Sequence, residues 1–148
     1  MPRIVDTSVA IKWVMRESFT DNALALRDDS LRRKDPIYVP PLLMYEATNV
    51  LYDFARQGKI TETDADQGLQ EIAAVVTVAR LDLLQLVNAM SLARSANKQD
   101  TYDSQFLALA LDTGYELWTA DRRYERAVGK RLLVQGRSLL HLIETFLV

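Results

Sequence analysis

The sequence predicts a three-layer α/β/α fold in which a mainly parallel β-sheet lies between two layers of helices. Short runs rich in β-branched residues alternate along the chain with longer segments whose apolar residues recur every three or four positions. No internal repeat, low-complexity tract or linker interrupts this alternation. Strands that alternate with helices form βαβ units, whose right-handed crossovers make neighbouring strands parallel and place helices on both faces of the sheet.

The predicted elements of the first half each carry a local signal. Thr20 is expected to cap the second helix, and Asp35-Pro36 to end it. Pro40-Pro41 opens a longer helix, and Gly58 follows its last turn. The elements expected here are, in order, a strand over 3–5, a helix over 7–15, a helix over 20–34, a strand over 37–39 and a helix over 41–57.

The second half continues the same pattern. Thr61 or Thr63 caps a helix that runs through Ala74, and Gly114 closes the helix that begins at Tyr102. The remaining elements expected are a strand over 75–81, a helix over 83–96, a polar turn over 97–100, a strand over 115–119, a helix over 122–128, a strand over 132–134 and a terminal helix over 138–146.

Composition predicts a single domain over residues 1–148. Of the 148 residues, 49% are hydrophobic and 26% charged, which is enough apolar material for one core. No apolar run approaches the roughly 20 residues that a membrane-spanning helix needs. The first residues reach Asp6 before the apolar region of a signal peptide can develop. We therefore expect a cytoplasmic protein without a membrane partner.

The chain contains no cysteine and one histidine, His141. Disulfides, thiolate zinc sites and cysteine nucleophiles are therefore excluded, and any metal ion must be held by oxygen atoms. The formal net charge is −2, which is not the basic balance of a protein that holds nucleic acid by charge alone. A contact with nucleic acid must then be local or transient.

Four acids are the candidate functional residues. Asp6 ends the first strand and Asp121 follows the strand over 115–119, so both belong to the carboxyl edge of the sheet, where ligands of open parallel sheets bind. Asp103 begins a helix that is expected to project its carboxylate toward that edge. Glu46 lies inside the helix over 41–57, with Asn49 one turn further along the same face.

Carboxylates gathered without a cation repel one another and raise each other's pKa values. A divalent cation removes this conflict, and ligation by carboxylates and water is typical of Mg²⁺ or Mn²⁺. Such an ion can activate a water molecule and polarise a phosphoryl group, alone or with a second ion. The four acids therefore indicate metal-assisted hydrolysis of a phosphodiester.

Four segments of the chain resemble the motifs of a known family, the PIN domain, and within it the VapC toxins of bacterial and archaeal toxin–antitoxin pairs. They keep the family's order and approximate spacing over nearly the whole chain. The segments are Ile4-Val5-Asp6-Thr7-Ser8, Val39-Pro40-Pro41-Leu42 continuing to Glu46-Ala47-Thr48-Asn49-Val50-Leu51, Tyr102-Asp103-Ser104-Gln105-Phe106-Leu107-Ala108-Leu109-Ala110, and Leu117-Trp118-Thr119-Ala120-Asp121-Arg122-Arg123-Tyr124.

The resemblance implies a PIN-like fold and a metal-dependent endoribonuclease. Asp6, Glu46, Asp103 and Asp121 would be the metal-binding and catalytic acids, for Mg²⁺ or Mn²⁺. Supporting hydrogen bonds would come from Ser8, Asn49 and Thr119. The substrate would be RNA, and the expected partners are a small antitoxin protein and a second copy of the chain in a homodimer. Some relatives carry a further acid, for which the nearest candidate is Glu125. Asp100 is expected to cap the helix that begins at Tyr102.

Each candidate also has an ordinary structural interpretation. Isolated acids are mostly solvated charges or helix caps, and hydroxyls near strand ends commonly satisfy backbone groups. Arg122 and Arg123 are candidates for contacts with RNA phosphates, although a charged helix face is usually only solvated. The same basic cluster includes Arg126, Lys130 and Arg131. His141, Trp13, Trp118 and Tyr45 are expected to pack in the core or at an interface.

Two other functional classes were weighed. A non-catalytic PIN-like module that binds RNA or protein is the main alternative, and the presence of every expected acid argues against it. An aspartyl-phosphate protein also places an acid at a strand end, but its Asp-x-Asp motif is absent there, since Asp6 is followed by Thr7-Ser8. DNA stays open as a substrate, because these motifs do not read a 2′-hydroxyl.

Overall fold

The computed structural model describes residues 1–129, 133–134 and 137–148, with backbone only at 133–134. Its α-helices are α1 (Thr7–Ala10), α2 (Thr20–Arg33), α3 (Pro41–Arg56), α4 (Glu62–Val75), α5 (Leu83–Ser95), α6 (Tyr102–Thr113) and α7 (Arg122–Val128). Its strands are β1 (Arg3–Val5), β2 (Ile37–Val39), β3 (Val76–Val78), β4 (Glu116–Thr119), β5 (Leu133–Val134), β6 (Arg137–Ser138) and β7 (Leu140–Leu142). Short 3₁₀ turns follow α1 at Ile11–Trp13 and β7 at Ile143–Thr145.

Five strands form a parallel central sheet in the order β3-β2-β1-β4-β7. The first strand of the chain is therefore the middle strand of the sheet, with β2 on one side and β4 on the other. In register, Ile4 is opposite Tyr38 and Leu117. The predicted α/β class and parallel sheet are confirmed.

The central strands are buried on both faces, as a parallel sheet covered by helices requires. Ile4, Val5, Val39 and Leu117 are fully buried. Beside them, α3 packs against α4 and α5 packs against α6.

Local signals explain most helix ends. Pro41 occupies the first turn of α3, where its missing N–H costs nothing. Thr61, not Thr63, caps α4: its hydroxyl accepts the amide of Asp64 at 3.0 Å, and the Asp64 carboxylate accepts the amide of Thr61. Gly114 ends α6 at φ 72°, a left-handed conformation that favours glycine.

The predicted terminal helix over 138–146 is wrong. Leu140–Leu142 instead forms β7, which pairs in parallel with β4 so that His141 is opposite Trp118. The helical spacing of the apolar residues is outweighed by a backbone ladder and by the stacking of the His141 ring on Trp118, with ring centres 4.9 Å apart.

Three smaller predictions also need correction. The helix over 7–15 stops at Ala10 and continues as a 3₁₀ turn. The residue that caps α2 is Phe19, at φ 63°, while the Thr20 hydroxyl accepts the amide of Glu17 in the preceding turn. The strand over 132–134 lies at Leu133–Val134, outside the central sheet and antiparallel to β6; Leu132 is outside the described residues.

None of the helices in the described part of the chain combines the length and the apolar character needed to cross a membrane.

Candidate active site

Asp6 lies one residue beyond β1, at the carboxyl edge of the sheet. Its backbone is extended and its Oδ1 accepts the amide of Val9 at 3.3 Å, so it also caps α1. The Ser8 hydroxyl donates to Oδ1 at 2.5 Å, and the buried Thr119 hydroxyl at the end of β4 donates to Oδ2. Both carboxylate oxygens are therefore oriented by neutral donors, and the supporting role of Ser8 and Thr119 in a metal site stays a prediction.

The environment of Asp6 disfavours its ionised form. Burial raises the pKa of this carboxyl to about 6, against the lowering effect of the hydrogen bonds from Ser8, Thr119 and the amide of Val9. The negative charge of Asp103 raises the pKa further. Asp6 is thus a partly buried carboxylate whose hydrogen-bond donors, within the described part of the chain, include no cation.

The same two hydroxyls also join the loops that follow β1 and β4. Ser8 Oγ accepts the amide of Ala120 at 2.9 Å, and Thr119 Oγ1 accepts the amide of Asp121 at 3.0 Å. Each hydroxyl therefore uses its proton on Asp6 and its lone pair on the backbone around Asp121. This fixes the position of Asp121 relative to Asp6.

Glu46 points toward the same edge from the second turn of α3. The Thr7 hydroxyl, on the first residue of α1, donates to Glu46 Oε1 at 2.8 Å. Burial raises the pKa of Glu46, the hydrogen bond from Thr7 opposes the rise, and the charges of Asp103 and Asp100 add to it. Thr7 was not predicted as a site residue.

Asp103 lies in the first turn of α6, where the helix dipole favours a carboxylate. The Tyr124 hydroxyl donates to its carbonyl oxygen at 2.9 Å, which ties α6 to α7. Burial raises the pKa of Asp103, the ammonium of Lys98 at 3.5 Å from Oδ2 opposes this, and the charges of Asp121 and Asp100 add to the rise.

The four predicted acids form one electrostatic group centred on Asp103. The charge of Asp103 raises the pKa values of Asp6 and Glu46, and the charge of Asp121 raises that of Asp103. Asp121 itself is exposed and caps α7 by accepting the amide of Tyr124 at 3.0 Å.

This group is not a preformed metal cage. Within residues 1–129 and 137–148, no set of three or more His, Asp or Glu side chains is arranged to hold an ion. The chemistry of the donors nevertheless fits a hard cation, because oxygen atoms of mutually repelling carboxylates are the ligands that Mg²⁺ and Mn²⁺ prefer.

Several predicted residues lie apart from this group. Asn49 is exposed, and in the described ranges no hydrogen bond joins its side chain to the acids. Arg122 pairs with Glu144 at 2.5 Å, and Arg123 is exposed. Roles for these three stay predictions. Lys130 and Arg131 are outside the described residues.

The further acid near the group is Asp100 rather than Glu125. The charge of Asp100 raises the pKa values of Glu46 and Asp103. Its Oδ1 also accepts the amide of Tyr102 at 3.2 Å, which is the capping contact expected from the sequence. Asp100 therefore adds negative charge to the pocket while it holds the start of α6.

The aromatic residues that were expected to pack in the core or at an interface differ in their burial. Trp13 is buried and donates its indole N–H to the carbonyl of Ala23 at 3.0 Å, and Trp118 packs between His141 and Phe146. Tyr45, in contrast, is 75% exposed on α3, so it does not pack in the core, and its expected place at an interface stays a prediction.

Sequence reasoning missed Thr7, Lys98 and Tyr124. A hydroxyl directly after the strand-end acid was a usable signal for Thr7, since such residues commonly bind neighbouring polar groups. Lys98 precedes Asp103 by five residues in a polar turn, and the sequence does not say which way that turn points. The expectation that no cation is fixed among the acids is therefore wrong at Asp103.

An α/β fold with acids gathered at the carboxyl edge of its parallel sheet belongs to the class of folds that build their sites at strand ends. The chain belongs to the PIN domain family, whose profile matches residues 3–130. Proteins of this family are typically nucleases and generally use divalent metal ions.

Solved structures support the same fold at low sequence identity. PAE2754 from Pyrobaculum aerophilum is 22% identical, with a TM-score of 0.66 over 98% of this chain and 94% of that chain. VapBC-1 from nontypeable Haemophilus influenzae is 14% identical, with a TM-score of 0.66 over 98% of this chain and 100% of that chain. VapBC2 from Rickettsia felis, solved bound to a DNA fragment from its promoter, is 12% identical to this chain. Its TM-score is 0.65, and the match covers 96% of this chain and 97% of that chain. Comparison with curated proteins gave no match.

Proposed function

We propose that this protein is a metal-dependent endoribonuclease, and that it acts in the cytoplasm as the toxin of a VapBC-type pair. The observation that carries the proposal is the state of Asp6. Its carboxylate is partly buried, oriented by two hydroxyls and coupled to the charge of Asp103, and no cation of the protein contacts it in the described residues. Keeping such a group costs stability unless a ligand offsets its charge.

Asp6, Glu46, Asp103 and Asp121 would hold the ion, Mg²⁺ or Mn²⁺, after small side-chain rearrangements. A divalent cation bound there supplies positive charge that polarises the phosphoryl group and makes a water molecule more acidic. Ser8 and Thr119 keep the Asp6 oxygens in place, and Thr7 does the same for Glu46. These hydrogen bonds restrict the rotation of the carboxylate groups, so that the lone pairs left free would be available to a metal ion.

The partners follow from the proposed toxin role. Two of the similar structures are named VapBC, a pair of components, which supports a small antitoxin as the partner of this chain. RNA is the proposed substrate and a homodimer the proposed assembly.

The direct test is cleavage of a panel of RNAs by wild type and by Asp103→Asn, with and without Mg²⁺ or Mn²⁺. Even the outer partners of a metal ligand contribute about 10- to 100-fold to activity, so we expect the substitution to reduce cleavage by more than about a hundredfold. Asp112→Asn is the matched control, because Asp112 is an exposed acid at the other end of α6.

Equal cleavage by both variants would refute the assignment of the acids. Wild-type protein that binds RNA without cutting any member of the panel would favour a non-catalytic module. A parallel panel of single-stranded DNA decides between RNA and DNA as the substrate.

A further inference from the structure

A cavity of about 230 Å³ lies between α5, α6 and α7, beside Asp103. Leu92, Leu107 and Val128 form its apolar floor, and Lys98, Ser104 and Tyr124 line its polar side. A single water molecule occupies about 30 Å³ of liquid volume, and clefts for drug-sized ligands measure roughly 300–1,000 Å³. The cavity is therefore larger than one water molecule and smaller than a cleft for a drug-sized ligand, which leaves room for one small chemical group.

Its polar side is attached to the acid group at three points. Lys98 places its ammonium 3.5 Å from Asp103 Oδ2. Tyr124 donates its hydroxyl to the Asp103 carbonyl at 2.9 Å, and Ser104 is the next residue along α6. A group bound in the cavity would therefore lie directly beside the phosphate that the acids act on.

Ser104 provides the observation that points to a ligand. The residue is 97% buried, since its relative exposure is 3%, and it lines the cavity. Its hydroxyl makes no hydrogen bond to any residue in the described part of the chain. The hydroxyl is not among the fully enclosed polar atoms without a partner, so it opens into the cavity, where a ligand group can donate a hydrogen bond to it or accept one from it.

Lys98 supplies a positive charge at the mouth of the cavity. Its side chain is one-third exposed, its ammonium lies over the Tyr124 ring at 5.5 Å from the ring centre, and its backbone amide donates to the carbonyl of Ala93 at 2.9 Å. Asn97, at φ 52°, makes the turn that directs Lys98 toward α6. Among the ion pairs of the described residues, Lys98 is the only lysine or arginine bound to one of the four acids, while Lys12 and Arg122 pair with Glu17 and Glu144.

From this geometry we infer that the cavity is a nucleobase subsite: the base next to the bond that is cut enters between Tyr124 and Ser104, while Lys98 holds the phosphate of that nucleotide. The inference rests on the proposed function for its substrate. Proteins that recognise single-stranded RNA take unstacked bases against aromatic and apolar side chains and bind the phosphates with cations. Four acids alone would repel the RNA backbone, and Lys98 reduces that repulsion at the point of entry.

The test measures binding without cleavage. Fluorescence polarisation is recorded for labelled eight-nucleotide RNAs in the Asp6→Asn background, with each of the four bases or an abasic ribose placed in turn at every position. We expect a preference of about fivefold or more among the bases at one position. Replacing the base with an abasic ribose at that position should remove the preference and weaken binding.

Ala96→Leu fills the cavity without changing the acids, because Ala96 lines it at the end of α5. This variant should weaken binding of the preferred RNA about tenfold and leave binding of the abasic RNA unchanged. Ala127→Leu makes the same change at an exposed position of α7 and should do neither. Ser104→Ala, a smaller change, should reduce the base preference without altering the melting temperature by more than a degree or two.

Lys98→Gln should weaken the binding of all RNAs about equally, including the abasic one. The slope of the logarithm of affinity against the logarithm of salt concentration should fall by about one, because one contact with a phosphate is lost. Lys98→Arg should restore most of the affinity, since it keeps the cation. A purely structural role of Lys98 would not change the salt dependence.

The cavity is only a packing gap, and the inference is overturned, if Ala96→Leu and Ser104→Ala bind every RNA as Ala127→Leu does, or if no RNA binds. Because these measurements need no cleavage, they are separate from the test of the nuclease. A protein that shows the base preference but cuts nothing would refute the proposed function and keep the subsite.

Discussion

Two aspartates near opposite ends of β1 have opposite electrostatic surroundings. Beside the start of the strand, Asp29 of α2 accepts hydrogen bonds from the guanidinium groups of Arg3, Arg32 and Arg33. Beyond its end, the donors to Asp6 among the described residues are two hydroxyls and a backbone amide. The hydrogen bonds from Arg3 and Arg33 lower the pKa of Asp29 to about 2, whereas burial raises that of Asp6 to about 6.

This difference separates a structural acid from a candidate metal ligand. The charge of Asp29 is neutralised within the protein, so the contact joins β1 to α2 and needs no further partner. The charge of Asp6 is oriented but not neutralised, and its neighbour Asp103 increases the cost. The charge of Asp29 at the amino edge of the sheet is thus balanced, while at the carboxyl edge Lys98 is the one described cation paired with any of the four acids, so positive charge is in deficit there.

The largest expected effect comes from supplying that charge. Saturating Mn²⁺ should raise the melting temperature of wild type by roughly 5–10 °C, because a ligand at about 100 times its dissociation constant stabilises the native state by about 2.7 kcal/mol. Asp6→Asn and Asp103→Asn should lose most of this increase. Asp29→Asn should keep it, and differential scanning fluorimetry measures all four proteins.

The next effect is the pH dependence of the metal-free protein. Because the pKa of Asp6 is raised to about 6 from an ordinary value of 3.8, the folded state holds a proton that the unfolded state has released. The favourable contribution is complete below about pH 3.8 and is lost as the pH rises through 6, a loss on the order of 2–3 kcal/mol. Urea unfolding at pH 4 and pH 7 should show the decrease in wild type.

Asp6→Asn has no titrating carboxyl at this position, so the same comparison should show a smaller decrease between the two pH values. A decrease as large as that of wild type would mean that other acids, and not Asp6, cause the pH dependence.

Removing the Thr7 hydroxyl should have a moderate effect on cleavage. Thr7→Val leaves Glu46 without its hydrogen-bond donor, so the carboxylate is less well oriented, and we expect a decrease of roughly tenfold in cleavage at limiting metal. Thr48→Val is the matched control on α3, because that hydroxyl donates to the carbonyl of Met44. Metal titrations of the cleavage rate that coincide for the two variants would contradict the role given to Thr7.

The smallest effect is expected at the structural acid. Asp29→Asn should lower the melting temperature at pH 7 by a few degrees, with unchanged cleavage. Since the pKa of Asp29 is lowered to about 2, its contribution is present above about pH 3.8 and disappears as the pH falls through 2. The difference in melting temperature between variant and wild type should therefore shrink in acid.

Much of the fold was predictable because its signals are local. The runs of β-branched residues at Arg3–Val5 and Ile37–Val39, and the proline and glycine signals around α3 and α6, each act within a few residues. The strand Leu140–Leu142 was not predictable in this way. It depends on pairing with β4, more than 20 residues earlier, and three residues carry too little periodicity to indicate it.

In the candidate site, too, local signals were predictable and contacts that depend on tertiary packing were not. Asp6 and Asp121 could be placed together because the carboxyl ends of adjacent parallel strands meet at one edge. The partners of the acids could not be placed, because they depend on how loops and helices pack. The Thr7 hydroxyl meets Glu46 only when α1 packs against α3, and Lys98 meets Asp103 only through the turn at Asn97.

The hydrogen bond from Thr119 to Asp6 joins residues 113 positions apart. Contacts of such long separation form only after most of the polypeptide has left the ribosome, since a loop of that size must close first. During synthesis, the emerging chain therefore carries Asp6 without the hydroxyl that orients it. The hydrogen-bonded pocket around Asp6 is thus completed only near the end of translation.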